Sequence, residues 1–247
     1  MWVSTSRRDR TNSTVLIGSR DQMLLVDPAW EADELASLGR EIRALGGRPS
    51  AGLATHSHFD HILWHPSFGE VPRWASAETV RVADLEREQG LAELGPGWPA
   101  QLAALYGRLV AVTGSVLPWD GPEVQLIEHD AHCPGHTAAW VPELSLLLAG
   151  DMLSDVELPL PSEAPDALEA YARGLDALAP YVHRAAVVIP GHGAPTFDGE
   201  ARLIADLRYL EDVMAGRPTV DYRLRNAGMA SAHAQTVALA AYNPEDC

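Results

Sequence analysis

Short apolar runs rich in β-forming residues alternate along this chain with helical patterns, and that alternation most restricts what it can fold into. The runs are Val15–Gly18, Met23–Val26, Ala51–Ala54, Val124–Glu128, Leu144–Leu148 and Ala185–Ile189. Helical patterns occupy Glu31–Ala44, Ala77–Gln89, Ala167–Leu178 and Glu200–Met214. Alternation of this kind predicts an α/β layered domain. No internal repeat, low-complexity tract or long linker divides the 247 residues, so one domain over 1–247 is expected. Residues 91–117, mostly helical but broken by Gly and Pro, read as an insertion. Residues 217–247 read as a peripheral tail with one weak helix over 230–241.

Charge narrows the partners. The chain carries 18 basic and 34 acidic residues, a net charge of −16, which repels phosphate backbones and anionic lipid. Neither nucleic acid nor a membrane is an expected partner; a small-molecule substrate is. All 18 basic residues are arginine. The absence of lysine removes Schiff-base chemistry and any P-loop mechanism, since both require one. The N-terminal MWVSTSRRDRTNST has no apolar stretch after its charges, so no secretory signal is expected there. Cys133 and Cys247 lie far apart and suggest no disulfide framework. The expected compartment is therefore the cytoplasm; the oligomeric state is left open.

The chemistry concentrates at the ends of the β runs. ATHSHFDHILWH, residues 54–65, places four histidines and an aspartate directly after the run AGLA. Further on, CPGHT brings His136 just after VQLIEHDA, LSLLLAG runs into Asp151, and AAVVI runs into PGHG with His192. Side chains delivered by several strand ends converge on one edge of an α/β domain, the usual place for its active site. In extended backbone His56 and His58 point to the same side and reach one metal. Asp60 and His61 are expected where the chain turns into a helix, facing a second metal. His136 completes the first set, His192 joins Asp60 and His61, and Asp151, with two oxygens, bridges. Imidazole and carboxylate without thiolate suit two Zn²⁺, with Fe or Mn possible.

The other histidines read differently. His65, His183 and His233 are expected to be ordinary hydrogen-bonded residues, although His65 follows His61 by one helical turn. His132 is expected to support the ligands from behind, His129 to lie on a strand surface, and Cys133 to be buried packing. Trp30, Trp64, Trp74, Trp98, Tyr106 and Trp119 lie near the motif side. Some of them are expected to line an apolar pocket, with 91–117 as its lid.

LLVDP, HSHFDH, CPGHT, AGD and PGHG, in that order from Asp27 to His192, resemble the metallo-β-lactamase superfamily in its glyoxalase II-like, dinuclear form. The resemblance implies a four-layer αβ/βα sandwich, a structural role for Asp27 behind the ligand loop, and a C-terminal helix beginning near Gly199. It also sorts the branches. True β-lactamases of the family usually lack the bridging aspartate, and one subclass grips its substrate with a lysine this chain does not have. Oxygen-reducing flavodiiron members carry glutamate where His58 stands. RNA-processing members expect a basic surface. The basic C-terminal residues with which glyoxalase II holds glutathione are not identifiable here. What remains is a metal-dependent hydrolase that uses a metal-bridged hydroxide to cleave a carboxylic ester, lactone or thioester, with Asp60 as the catalytic carboxylate. The alternative is a mononuclear iron persulfide dioxygenase. A β-lactamase, or a metal-binding protein without activity, ranks below both.

Overall fold

The computed structural model describes residues 1–162, 164 and 166–241; Cys247 and the end of the tail lie outside them. Two sheets form its interior. The first has six strands in the order β1 (Trp2–Thr5), β2 (Asn12–Ile17), β3 (Gln22–Val26), β4 (Arg48–Leu53), β5 (Arg73–Ala75) and β6 (Val110–Ala111). The second runs β10 (Val187–Pro190), β9 (Leu146–Gly150), β8 (His136–Val141) and β7 (Gln125–His129). Pairing is antiparallel from β1 to β3 and parallel from β3 to β6; in the second sheet only β9 and β10 are parallel.

Three apolar layers hold these sheets. Between them, Leu16, Leu24 and Leu53 meet Val141, Leu148 and Ile189. Outside the first sheet, Leu35, Leu38 and Ile42 of α1 (Ala32–Ala44) pack with Trp30, Trp64 and Phe68. Their three- and four-residue spacing makes one apolar stripe, and a Glu31–Glu34 capping box starts the helix. Outside the second sheet, α5 (Ala167–Val182) and α6 (Gly199–Met214) bury Leu175, Leu178 and Leu210 against Trp140 and Leu147. Each such aliphatic side chain contributes about 1.5–3 kcal/mol by leaving water. Helix–sheet–sheet–helix is the expected αβ/βα sandwich.

Several local expectations need correction. The chain after His61 does not enter a helix: residues 55–65 are irregular, followed only by a 3₁₀ turn at Pro66–Phe68. The pattern over 77–89 is two helices, α2 (Ala77–Leu85) and α3 (Arg87–Glu93), broken at Glu86. The strand expected at 144–148 begins at Leu146, because Pro142–Leu144 form a 3₁₀ turn. Strand β8 is buried at every position, so it lacks the alternation that marks a half-exposed strand. Between α3 and β7 lie only the short α4 (Ala100–Ala103) and β6. The tail helix, α7, spans Met229–Ala241. Among the described residues no helix is long and apolar enough to cross a membrane.

Candidate metal centre

The topology brings one edge of both sheets together. The C-terminal ends of β4, β9 and β10 meet there, with the N-terminal ends of β2 and of β8, the antiparallel neighbour of β9. From these ends come His56 to His61, Asp151, His192, Thr11 and the turn from His132 to His136.

Side-chain atoms there fall into groups spaced for metal binding. One is His56, His58, His132 and Asp151; another is Asp60, His61 and His192. Asp151 touches both: Oδ2 lies 3.3 Å from His56 Nε2 and 3.2 Å from His192 Nε2, while Oδ1 lies 3.2 Å from His61 Nε2. Asp60 Oδ2 is 3.4 Å from His192 Nε2 and 3.5 Å from His61 Nε2. Glu157 adds a further carboxylate, its Oε1 3.9 Å from His192 Nδ1.

The outer faces of the imidazoles are tied down. His61 Nδ1 lies 3.0 Å from Asp27 Oδ2, His192 Nδ1 2.8 Å from the Asp9 carbonyl, and His132 Nδ1 2.8 Å from the Leu160 carbonyl. A carboxylate or carbonyl only accepts, so each Nδ1 carries the proton and each Nε2 turns its lone pair inward. His56 follows the same rule through a relay: Nδ1 is 3.0 Å from Thr55 Oγ1, which itself donates to Asp27 Oδ2 at 2.7 Å. Asp27 thus sets the tautomer of one histidine in each group. Its backbone at φ 46° is left-handed, a conformation Asp tolerates better than most residues.

The inward atoms suit a cation better than one another. As neutral imidazoles His61 and His192 would face each other lone pair to lone pair, Nε2 to Nε2 at 3.3 Å, so a cation or an added proton is needed between them. His56 Nε2 and Asp151 Oδ1 are buried without a hydrogen-bond partner. Ligands about 2.0–2.1 Å from a tetrahedral zinc lie roughly 3.3 Å from one another. The observed spacings of 3.2–3.5 Å match that edge. These residues fit a metal, and the orphaned atoms point at where it would sit.

The electrostatics agree. Burial lowers His61 and His192, but carboxylates outweigh it: Asp151, Asp60 and Asp27 hold His61 well above the usual imidazole value, and Asp151 leads in lifting His192 to about 10. Burial opposes ionisation of Asp151, yet His192, His61 and His56 hold it well below the usual carboxylate range. Around Asp151 and Asp60 the field demands positive charge. Burial and then His61 push His56 well below its ordinary value, keeping it neutral as a ligand must be.

Other residues of the region take different places. His136, expected in the first set, stands behind it: its Nε2 accepts the Asp151 backbone N–H at 3.1 Å. That lone pair is spent on the backbone, and its Nδ1 is buried without a partner. His132 occupies the cluster instead, its Nε2 3.0 Å from His58 Nδ1 and 3.5 Å from Asp151 Oδ2. His65 lies away from the site, its Nδ1 accepting the Ser67 N–H at 3.1 Å and capping the 3₁₀ turn. His233 bonds Tyr209 on α6. Two glycines admit the close approach. A Cβ at Gly191 would fall on Asp151 Oδ1, and one at Gly150, where φ is 57°, would fall on His136 Nε2.

Sequence reasoning missed Thr11, whose hydroxyl donates to Asp60 Oδ2 at 3.0 Å, and the Asp9 carbonyl. A lone threonine and a backbone oxygen far from the motifs leave no pattern to find. The tryptophans expected around a pocket pack elsewhere: Trp30 and Trp64 belong to the outer core of the first sheet, and Trp74 and Trp119 pack against the central layer.

With this geometry in place, comparison with known proteins decides the family. Residues 7–198 match the metallo-beta-lactamase superfamily. The chain belongs to that superfamily. A metallo-beta-lactamase family protein from Thermus thermophilus superposes with a TM-score of 0.67 at 21% identity, over 96% of this chain and 90% of that one. A stereoselective inverting sec-alkylsulfatase from a Pseudomonas species gives 0.62 at 18% identity, over 83% of this chain but 39% of its own. A protein solved in a di-iron-bound form gives 0.57 at 23% identity, over 82% and 98% of the two chains. At such identities the likeness is one of fold. Membership of a superfamily that binds metals and a His/Asp cluster spaced for a metal make this cluster a candidate metal-binding site.

Proposed function

We propose that this chain is a dinuclear metallohydrolase that cleaves a carboxylic ester, lactone or thioester of a small molecule. The observation that supports this best is the inward convergence of fixed Nε2 atoms on Asp151, which reaches both ligand groups. His56, His58, His132 and Asp151 would hold one ion, and Asp60, His61, His192 and Asp151 the other. Zinc suits these donors best, since imidazole and carboxylate without thiolate are borderline ligands. Two such ions, when bound, bring the pKa of water from about 15.7 towards neutrality and polarise the substrate carbonyl.

The chain's own residues do the rest. Asp60 orients the attacking water and takes up its proton, acting as general base and later returning the proton to the leaving group. The Thr11 hydroxyl, donating to Asp60 Oδ2, fixes which carboxylate oxygen is free for that task. Asp151 sets the distance between the two groups and offsets part of their charge. Asp27 keeps His61 and His56 in the ligating tautomer.

Zinc-reconstituted protein assayed against p-nitrophenyl esters, lactones and thioesters tests this reading. Turnover is expected on at least one class, lost on chelation with the far-UV circular dichroism unchanged. One iron per chain together with oxygen uptake on glutathione persulfide would replace it with the dioxygenase.

A further inference from the structure

The ligand cluster opens into a cleft of about 1070 Å³, with His58 and His132 in its wall. Its other walls come from α2 and α7. From the region of α2 come Val82, Leu85, Glu86 and Gln89, and from α7 come Ala232, Gln235, Thr236 and Leu239. Both sets recur at three- and four-residue spacing, so one face of each helical segment looks into the cleft. Leu160 and Pro161 line it between them.

We infer that this cleft receives an uncharged aliphatic chain of the substrate, making the enzyme selective for neutral acyl esters or alkyl-substituted lactones. The inference rests on the hydrolase reading above. Leu85 is 72% exposed at the cleft wall, a large apolar side chain left in water beside a candidate catalytic centre. Charge excludes the obvious competitors. Among the described lining residues outside the ligand cluster, the charged ones are Arg81 and Glu86. Glu78 already binds the Arg81 guanidinium through two hydrogen bonds, of 2.6 and 2.9 Å. The one arginine among the described lining residues is thus already paired with a carboxylate, and Glu86 repels a carboxylate or phosphate. Beyond the ligand cluster, an anionic substrate such as a penicillin, a glutathione thioester or a coenzyme A thioester meets only the paired Arg81 and the carboxylate of Glu86. A neutral chain finds Val82, Leu85, Leu160 and Leu239.

The test uses the full-length, zinc-reconstituted chain and a series of p-nitrophenyl acetyl, butyryl, hexanoyl and octanoyl esters. Each methylene moved from water to an apolar wall is worth up to about fourfold in kcat/KM, so the value should climb along the series. Leu85→Glu, an exposed change the fold tolerates, places a charge in the wall and should lower the octanoyl-to-acetyl ratio at least tenfold. Binding is read separately, without turnover, by titrating 2-decanone into methyl-labelled protein. Saturable shifts of the Val82, Leu85 and Leu239 methyl signals are expected, and weaker shifts of Val82 and Leu239 in Leu85→Glu. A flat chain-length profile, or a cephalosporin or S-lactoylglutathione preferred over the octanoyl ester, would overturn the inference. If no ester, lactone or thioester is turned over but 2-decanone still saturates these methyl groups, the hydrolase reading fails and the cleft assignment stands. If 2-decanone does not saturate them, the cleft assignment fails whatever the turnover.

Discussion

Replacing Asp27 by Asn isolates the part of the centre that no metal touches. The carboxylate accepts three bonds: Thr55 N–H at 2.8 Å on Oδ1, and Thr55 O–H at 2.7 Å with His61 Nδ1 at 3.0 Å on Oδ2. In Asp27→Asn the amide oxygen keeps the backbone bond, but an NH₂ group now faces two donors. The Thr55 hydroxyl must turn away, and His61 must move its proton to Nε2, which removes the lone pair that would ligate. Because Thr55 also holds His56 Nδ1, both ligand groups lose a fixed tautomer. Losing an outer hydrogen bond of this kind typically weakens metal binding 10- to 100-fold, about 1.4–2.7 kcal/mol. The fold should survive, since Asn accepts the φ of 46° as readily as Asp. Asp27→Ala should additionally cost about 1–3 kcal/mol of stability, because the buried Thr55 N–H is left unpaired. Titrating metal-free protein with zinc against a chromophoric chelator reads each equivalent, and urea unfolding reads stability. If Asp27→Asn binds both equivalents as tightly as the parent, the tautomer reasoning is wrong.

Three further outcomes follow from the same geometry. His132→Ala should lose metal from the first group, whereas His136→Ala should keep it and lose about 1–3 kcal/mol for the unpaired Asp151 N–H; metal analysis giving the reverse result would return His136 to the ligand set. Arg223 is buried, holds the carbonyls of Ser154 and Glu157 beyond Asp151, and pairs with Asp206 and Asp221. Asp206→Ala should cost about 3–5 kcal/mol by leaving that cation half compensated, and a loss under about 1 kcal/mol in urea unfolding would contradict this. With a net charge of −16 the protein should show no salt-sensitive RNA or DNA binding in a gel shift, and a tight, salt-dependent complex would refute the small-molecule assignment.

Much of this was legible in the chain. The layered fold follows from strand–helix alternation, and Asp60, His61, Asp151 and His192 could be placed because each terminates or follows an apolar run. From sequence His136 is expected in the first set and His132 behind it, whereas the geometry groups His132 with His56 and His58; both flank one tight turn, and only the three-dimensional position of the Asp151 N–H separates them. The helix expected after His61 was misread because Ile62, Leu63 and Trp64 are apolar through burial in a loop, not through helical periodicity. Strands β5 and β6 are three and two residues long, too short to show any period. The cleft depends on α7 returning to the site after the 3₁₀ turn at Tyr222–Arg225, a long-range event with no local signature. Segment 91–117 does not line that cleft, but its Glu93 and Tyr106 line a smaller pocket that shares His58 and Glu86 with it, while Leu94 and Leu102 are buried in the first sheet's outer core.

The central claim is that Asp151 joins two ligand groups into one dinuclear centre. Elemental analysis of zinc-reconstituted protein, parent beside Asp151→Ala, tests it directly. Two zinc per chain in the parent, falling to one or none in the variant together with a steep loss of turnover, is the predicted result. No more than one zinc in the parent, or two zinc with near-normal turnover in Asp151→Ala, would contradict it.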